Sequence, residues 1–278
     1  MSTVELVVTD LDGTFWDAET RVDPAVVAAV AELDRREVPW LVATGRRVAS
    51  TRAPLAIAGL APPAVVLNGA LGLDLDTMRR FHLAPFPTDE SLAVYDAFIS
   101  AGVSPVVYVD HPRYDVFISD RTSTHPGHVQ QLGDSAGVRP GSTSTDDELR
   151  VAVAETPVLG FGVIGVPFDA AESAFAALDG IAEPHLDRSI EYPELAAMTV
   201  APRHQSKWDG VVAYCAAHGI DNSKVMAVAD GPNDIELLTN AAVRVVPKIA
   251  HPSALELATS IIQSPQDAGW SEVPSLLD

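Results

Sequence analysis

Short, apolar, β-branched runs alternate in this chain with segments of helical periodicity, and polar or glycine residues stand directly after each run. Glu5 to Thr9 is the first strand, and Pro24 to Glu37 then repeats apolar residues at helical spacing behind Asp23, a suitable N-cap. Trp40 to Ala43 reads as a second strand, Val48 to Ile57 as an irregular helix and Ala64 to Leu67 as a third strand. Much later the alternation resumes, with a helix at Lys207 to Ala217, a strand at Val225 to Ala229, a helix at Asn233 to Leu238 and a strand at Ala242 to Val246. Strands that are apolar on both faces and separated by helices need cover on two sides, so the pattern predicts an α/β fold with a doubly wound parallel sheet.

Between the two halves the pattern changes. Strand candidates at Pro105 to Val109, Tyr114 to Ser119 and Val158 to Val166 mix with helices near Glu90 to Ile99 and Ala170 to Leu178. Two of these strands follow each other closely, as in an antiparallel pair. The expected organisation is therefore a discontinuous core over residues 1–82 and 190–278, interrupted by an α+β insertion over 83–189. If that insertion leaves the core after the third strand, it sits over the strand ends as a lid. Arg139 to Asp147 reads as an exposed loop, and His125 and His128, split by Pro126 and Gly127 beside a Ser/Thr-rich flank, read as loop residues rather than a metal pair.

Hydrophobic residues make up 47% of the chain, enough for a sizeable core. The formal charge of -20 opposes nucleic acid as a partner, and no basic patch interrupts it. A membrane is equally unexpected, because the longest mostly apolar run, Ala53 to Leu67, is broken by Pro54, Pro62 and Pro63. The first residues lack a basic stretch followed by an apolar one, so the expected location is the cytoplasm. The single cysteine, Cys215, lies in an apolar helical pattern and is expected to be packing rather than chemistry.

Ligands of open parallel sheets bind beyond the carboxyl ends of the strands. Four groups of residues fall there: Asp10 and Asp12 after the first strand, Thr44-Gly45-Arg46 after the second, Asn68-Gly69 after the third, and Asp230 to Asp234 after a later one. Each alone can be read as a turn or a helix cap. Asp10-Leu-Asp-Gly13 also suggests a calcium loop, but the spaced acidic ligands and closing glutamate of such a loop are missing. Brought together, the carboxylates Asp10, Asp12, Asp230 and Asp234 repel one another unless a cation joins them, and all-oxygen ligands suit Mg²⁺. Lysine occurs only at 207, 224 and 248, so a lysine at the expected helix start, Lys207, stands out as a compact point charge.

In this order, the runs Asp10 to Thr14, Ala43 to Arg46, Lys207 at its helix start and Ala229 to Asp234 resemble the four motifs of the haloacid dehalogenase superfamily. The insertion between the second and third motifs resembles the Cof-type branch (subfamily IIB, with a C2-type cap), which includes many sugar phosphate phosphatases. The resemblance implies a Rossmann-like core with an inserted α+β cap. It also implies a Mg²⁺-dependent phosphatase that hydrolyses small phosphorylated metabolites, sugar or polyol phosphates among them, through an aspartyl phosphate.

Carried onto the matching positions, Asp10 is the nucleophile, Asp12 the general acid and base, and Lys207 the cation that neutralises both phosphate and nucleophile. Phosphate binding falls to Leu11, Thr44, Gly45, Arg46, Asn68 and Lys207, with Arg46 and Asn68 near the substrate. The metal falls to Asp10, the backbone carbonyl of Asp12, Asp230 and Asp234. Competing readings are a phosphotransferase such as a sugar phosphomutase using the same aspartyl phosphate, and a non-catalytic phosphometabolite-binding regulator. The chain departs from the family pattern at Ala229, where glycine is usual, at Phe15 and Trp16, where smaller aliphatics are usual, and over Val246 to Ala250. Ala229 is expected to crowd the strand end, and the two aromatics to narrow the entrance beside the nucleophile.

Overall fold

The computed structural model describes residues 4–111, 114–117, 145–189, 192–203 and 205–277. The chain divides into two units, Met1–Leu83 with Gln205–Asp278, and Ala84–His204.

The first unit is built on strands β1 (Leu6–Thr9), β2 (Trp40–Ala43) and β3 (Pro63–Val66), whose residues are almost all buried. The chain returns after the second unit to add β11 (Val225–Val228), β12 (Val243–Pro247) and β13 (Ser260–Ile262). These six strands are parallel, in the order β13-β12-β11-β1-β2-β3, so the first strand lies between one that follows it directly and one made more than two hundred residues later. Two antiparallel strands, β4 (Leu71–Asp74) and β5 (Arg80–Leu83), extend the β3 edge. Sequence reading does not anticipate this hairpin, because Leu-Gly-Leu-Asp is too short to show a period. Its turn is set by Asp74, whose Oδ1 accepts from the Thr77 backbone at 2.7 Å and the Thr77 hydroxyl at 2.8 Å.

Helix α1 (Pro24–Arg35) starts as its sequence predicts: the Asp23 side chain accepts from the Ala25 N–H at 2.7 Å, and Val26, Ala29, Val30 and Leu33 are buried. Helix α2 (Val48–Ile57) follows β2. The expected C-terminal helix over Asn233 to Leu238 is instead a 3₁₀ turn, Pro232–Asp234, that leads into a short α-helix, Ile235–Asn240. Near the end of the chain Trp270 is fully buried, its ring 5.0 Å from Phe15 and 6.3 Å from Trp40.

The second unit has its own antiparallel sheet in the order β7-β6-β8-β10-β9, made of β6 (Val106–His111), β7 (Tyr114–Phe117), β8 (Val158–Val166), β9 (Glu183–Arg188) and β10 (Ala196–Ala201). Its core includes Phe98, Val107, Phe117, Phe161 and Met198, contributed in part by helix α3 (Thr88–Ser100). The boundary expected at residue 190 moves to 205, because Ala196–Ala201 pairs along its whole length with β9 and also with β8. The loop expected from Arg139 to Asp147 also needs correction. Residues 139–144 lie outside the described residues, as do His125 and His128, but Asp146 and Asp147 open helix α4 (Asp146–Glu155). Thr145 and Glu148 form a capping box there, with the Glu148 N–H donating to the Thr145 hydroxyl at 3.2 Å and the Thr145 N–H to the Glu148 carboxylate at 2.6 Å.

Candidate active site

At the end of β1 the Asp10 N–H donates to the Val228 carbonyl at 2.9 Å, which ties the first carboxylate to β11. The chain then turns sharply, with the N–H groups of Thr14, Phe15 and Trp16 converging on the Leu11 carbonyl at 3.3, 2.9 and 3.3 Å. Gly13 makes the turn possible: its φ is 72°, and a Cβ at that position would lie 2.3 Å from Asp230 Oδ2. The turn also places the Thr14 hydroxyl so that it donates to Asp230 Oδ1 at 2.7 Å.

Helix α5 (Phe168–Ala177) belongs to the second unit, so the helix that opens the returning core is α6 (Lys207–His218). Ser206 caps α6, with its backbone N–H donating to Asp209 Oδ2 at 2.8 Å. The start of α6 is pressed against the loop after β3, where Gly69 (φ 108°) leaves no room for a Cβ, since one would fall 2.1 Å from the Ser206 carbonyl oxygen. That contact sets Lys207 at the sheet edge, buried, with its ammonium donating to Asp10 Oδ1 at 2.8 Å and to Asp234 Oδ1 at 2.6 Å. Asp234 is fixed in turn by the Gly231 N–H, which donates to its other oxygen at 3.0 Å.

Asp10, Asp230 and Asp234 each bring a carboxylate oxygen within 4.8 Å of the others. Three buried or half-buried carboxylates thus face one ammonium. Burial lifts Asp10 well above the ordinary carboxylate value against the pull of Lys207, and Asp234, Asp230 and Asp12 add to the rise. Burial, with Asp234 next, lifts Asp230 to about 7. Burial pulls the Lys207 ammonium down, but Asp10 and Asp234 outweigh it and hold it above its ordinary value. Convergent hard oxygen ligands with unbalanced negative charge fit a divalent cation, which would supply what one lysine does not.

Asp12 faces elsewhere. Its Oδ2 accepts from Arg46 Nε at 2.5 Å, and its Oδ1 accepts from Arg46 Nη2 at 2.7 Å and from the Trp16 indole N–H at 3.1 Å. Arg46, expected near the substrate, is thus engaged in a two-pronged ion pair with Asp12. Thr44 is buried and accepts the Arg46 N–H on its hydroxyl at 3.2 Å. Asn68, at φ 52°, donates its N–H to the Thr44 carbonyl at 3.1 Å, and its side-chain oxygen accepts from Asn233 Nδ2 at 3.1 Å. Gly45 packs against the same amide: a Cβ there would meet Asn68 Oδ1 at 3.0 Å. The Leu11 side chain is fully buried, so only its backbone can contribute to a site.

The expected crowding does not occur. Ala229 is buried in the apolar cluster around Leu6, Val8 and Ala227, with its N–H donating to the Val245 carbonyl. Phe15 stacks on Trp40 at 5.5 Å, and Phe15 and Trp16 are each only 1% exposed, so both lie inside the fold instead of narrowing an entrance. Cys215 is buried as well, and burial pushes its thiol up to about 11, which keeps it protonated and inert. The contacts made by Thr14, Trp16 and Asn233 were not foreseen. All three stand inside or beside the motifs, yet nothing in spacing alone shows where their polar atoms point.

The sequence matches the haloacid dehalogenase-like hydrolase family over residues 7–273. The chain belongs to this family. Family membership, with a phosphatase among the sequence relatives, supports a phosphatase as the kind of enzyme it is. The haloacid dehalogenase-like chain is 24% identical over 269 residues to a phosphoglycolate phosphatase of Methanopyrus kandleri, covering 95% of this chain and 93% of that protein. Among solved structures it is similar to a sugar phosphatase of subclass IIB of the superfamily, with a TM-score of 0.75, 19% identity and 98% of each chain covered. It is also similar to a haloacid dehalogenase-like hydrolase from B. subtilis, with a TM-score of 0.78, 17% identity and 98% and 99% of the two chains covered. At these identities the structural likeness is one of fold. Among the described residues no helix is long and apolar enough to cross a membrane.

Proposed function

We propose that this haloacid dehalogenase-like hydrolase is a cytoplasmic, Mg²⁺-dependent phosphatase of small phosphorylated metabolites, sugar or polyol phosphates among them, acting through a phosphorylated Asp10. The observation that carries the reading is the junction at Lys207, where one buried ammonium bonds both Asp10 and Asp234 while Asp230 stands within reach of each.

Asp10 is the nucleophile. Its Oδ1 is held by Lys207, so the carboxylate is oriented without an activating base. Attack on phosphorus forms an Asp10–phosphorus bond as the bond to the leaving alkoxide breaks. Asp12 gives the alkoxide its proton, and later takes a proton from the water that hydrolyses the acyl phosphate and frees Asp10. Thr44 and the backbone N–H groups near Gly45 and Leu11, with Asn68 beside them, receive phosphoryl oxygens ahead of α2. Asp10, Asp230, Asp234 and the Asp12 carbonyl would hold Mg²⁺, which supplies positive charge opposite the phosphoryl oxygens. Arg46 serves Asp12 in this scheme, as their ion pair suggests.

The test is phosphate release from a panel of sugar, polyol, nucleotide and acid phosphates with Mg²⁺, with Asp10→Asn measured alongside. Turnover of sugar or polyol phosphates that is lost in Asp10→Asn supports the reading. Sugar isomer formation without phosphate release would replace it with phosphotransfer, and tight binding without turnover, unchanged in Asp10→Asn, would replace it with a sensor.

A further inference from the structure

The Asp12 carboxylate is the centre of a closed three-residue arrangement. Arg46 grips both of its oxygens, Trp16 donates its indole N–H to Oδ1 at 3.1 Å, and the Arg46 guanidinium lies 5.0 Å from the centroid of the Trp16 ring. The indole therefore touches both members of the ion pair, one through its N–H and the other through its π face. Trp16 itself cannot shift easily, because it is 1% exposed and its backbone N–H is bonded to the Leu11 carbonyl.

A carboxylate has about four acceptor positions, two on each oxygen. On Oδ1 both are filled, by Arg46 Nη2 and Trp16 Nε1; on Oδ2 one is filled, by Arg46 Nε. Without the indole N–H the two oxygens would be equivalent, each holding one arm of the guanidinium. The asymmetry of the carboxylate thus comes from Trp16.

We propose that Trp16 is a positioning residue for Asp12: by saturating Oδ1 and supporting Arg46 from below, it commits proton exchange with the leaving group to Oδ2. The inference rests on the phosphatase reading and on Asp12 as the group that serves the leaving oxygen. Trp16 touches neither substrate nor phosphorus in this scheme; it acts through the orientation of another side chain.

The experiment compares kcat/KM, which reports events up to the first phosphoryl transfer, for two substrates with Mg²⁺ in the native protein and in Trp16→Phe. Glycerol phosphate releases an alkoxide that needs a proton, whereas p-nitrophenyl phosphate releases a stable phenolate that does not. Trp16→Phe keeps a ring beneath Arg46 but removes the N–H. The expected result is a loss of about tenfold or more for glycerol phosphate and less than about twofold for p-nitrophenyl phosphate. An equal fall for both substrates would mean a purely structural role, and no fall for either would mean that the indole bond is idle; both outcomes overturn the proposal. If Trp16→Phe does not fold, Trp16→Met, which likewise brings no N–H or O–H donor, takes its place with the same two arms. A native protein that turns over neither substrate, nor any of the wider panel, would instead count against the phosphatase reading, so the two failures are separable.

Discussion

Replacing Lys207 with methionine removes the only cation within hydrogen-bonding reach of Asp10 and Asp234 among the described contacts while keeping a side chain of similar length. At an effective dielectric of about 20, contacts of 2.8 and 2.6 Å each represent about 6 kcal/mol of attraction. Much of that offsets the cost of burying an ammonium that is 1% exposed, so the net effect of losing it is smaller. Removing one partner of a buried ion pair costs about 3–5 kcal/mol, because the other partner's charge stays behind without compensation. For a core of this size that corresponds to a fall of about 6–20 °C in the unfolding temperature.

The measurement is thermal unfolding of native and Lys207→Met protein in chelator, repeated at several pH values and with Mg²⁺. The deficit is expected to shrink as pH falls, since protons neutralise the stranded carboxylates, and to shrink when Mg²⁺ is added. A deficit below about 1 kcal/mol in chelator at neutral pH would refute the reasoning, because the ammonium would then not be what holds the carboxylates together. A deficit that does not respond to pH or Mg²⁺ would refute it too, since lost packing alone has neither dependence.

The raised Asp230 gives the metal-free protein a definite pH dependence. The folded state keeps a proton that the unfolded chain releases near 3.8, so this group's contribution is fully present below 3.8 and is lost as pH rises through about 7. Unfolding free energies from urea titrations in chelator should fall between pH 5 and 7.5, Asp230 contributing at most about 1.4 kcal/mol per pH unit and the raised Asp10 acting in the same direction, and Mg²⁺ should flatten the slope; a free energy that rises with pH would contradict the assignment. Gly13→Ala should weaken Mg²⁺ binding more than tenfold by titration calorimetry, because the new methyl would meet Asp230 Oδ2 at 2.3 Å. Gly102→Ala, at nearly the same φ of 73° but with open space around it, should leave Mg²⁺ affinity unchanged. Arg150→Ala removes an ion pair with Asp96 whose partners are each about half exposed and screened by water, and should leave the urea midpoint unchanged within measurement error.

The core was legible in the sequence wherever burial on both faces forced a strand to be continuously apolar. Trp40–Ala43 and Val48–Ile57 fall where the pattern puts them, as does Leu6–Thr9 to within a residue. The second unit is harder to read because its sheet is antiparallel and its strands differ in character. Glu183–Arg188 is mostly polar and exposed in places, and only its pairing with Ala196–Ala201 makes it a strand. Helix α4 did carry a signal, Thr145 followed three residues later by Glu148, but it sits in a run of serine, threonine and aspartate that also suits a loop. The approach of Asp10, Lys207, Asp230 and Asp234 could be inferred from strand ends. Asp12 turning to Arg46 could not, because it depends on the direction of two long side chains and on an indole that the sequence offers simply as a large apolar residue.

The pairing of β1 with β11 has a consequence for synthesis. Leu6 and Thr9 find their partners Val225 and Val228 only when the chain is nearly finished. At about 5–20 residues per second, the ribosome leaves Asp10 waiting on the order of ten seconds to a minute for Asp234. In that interval Ala84–His204, which is contiguous, can complete its own sheet, whereas the first strand keeps one edge unpaired and exposed to wrong neighbours. Nascent chains cut short before Asp234 should therefore hold a folded middle yet be inert, and they are the ones on which a chaperone has most to do.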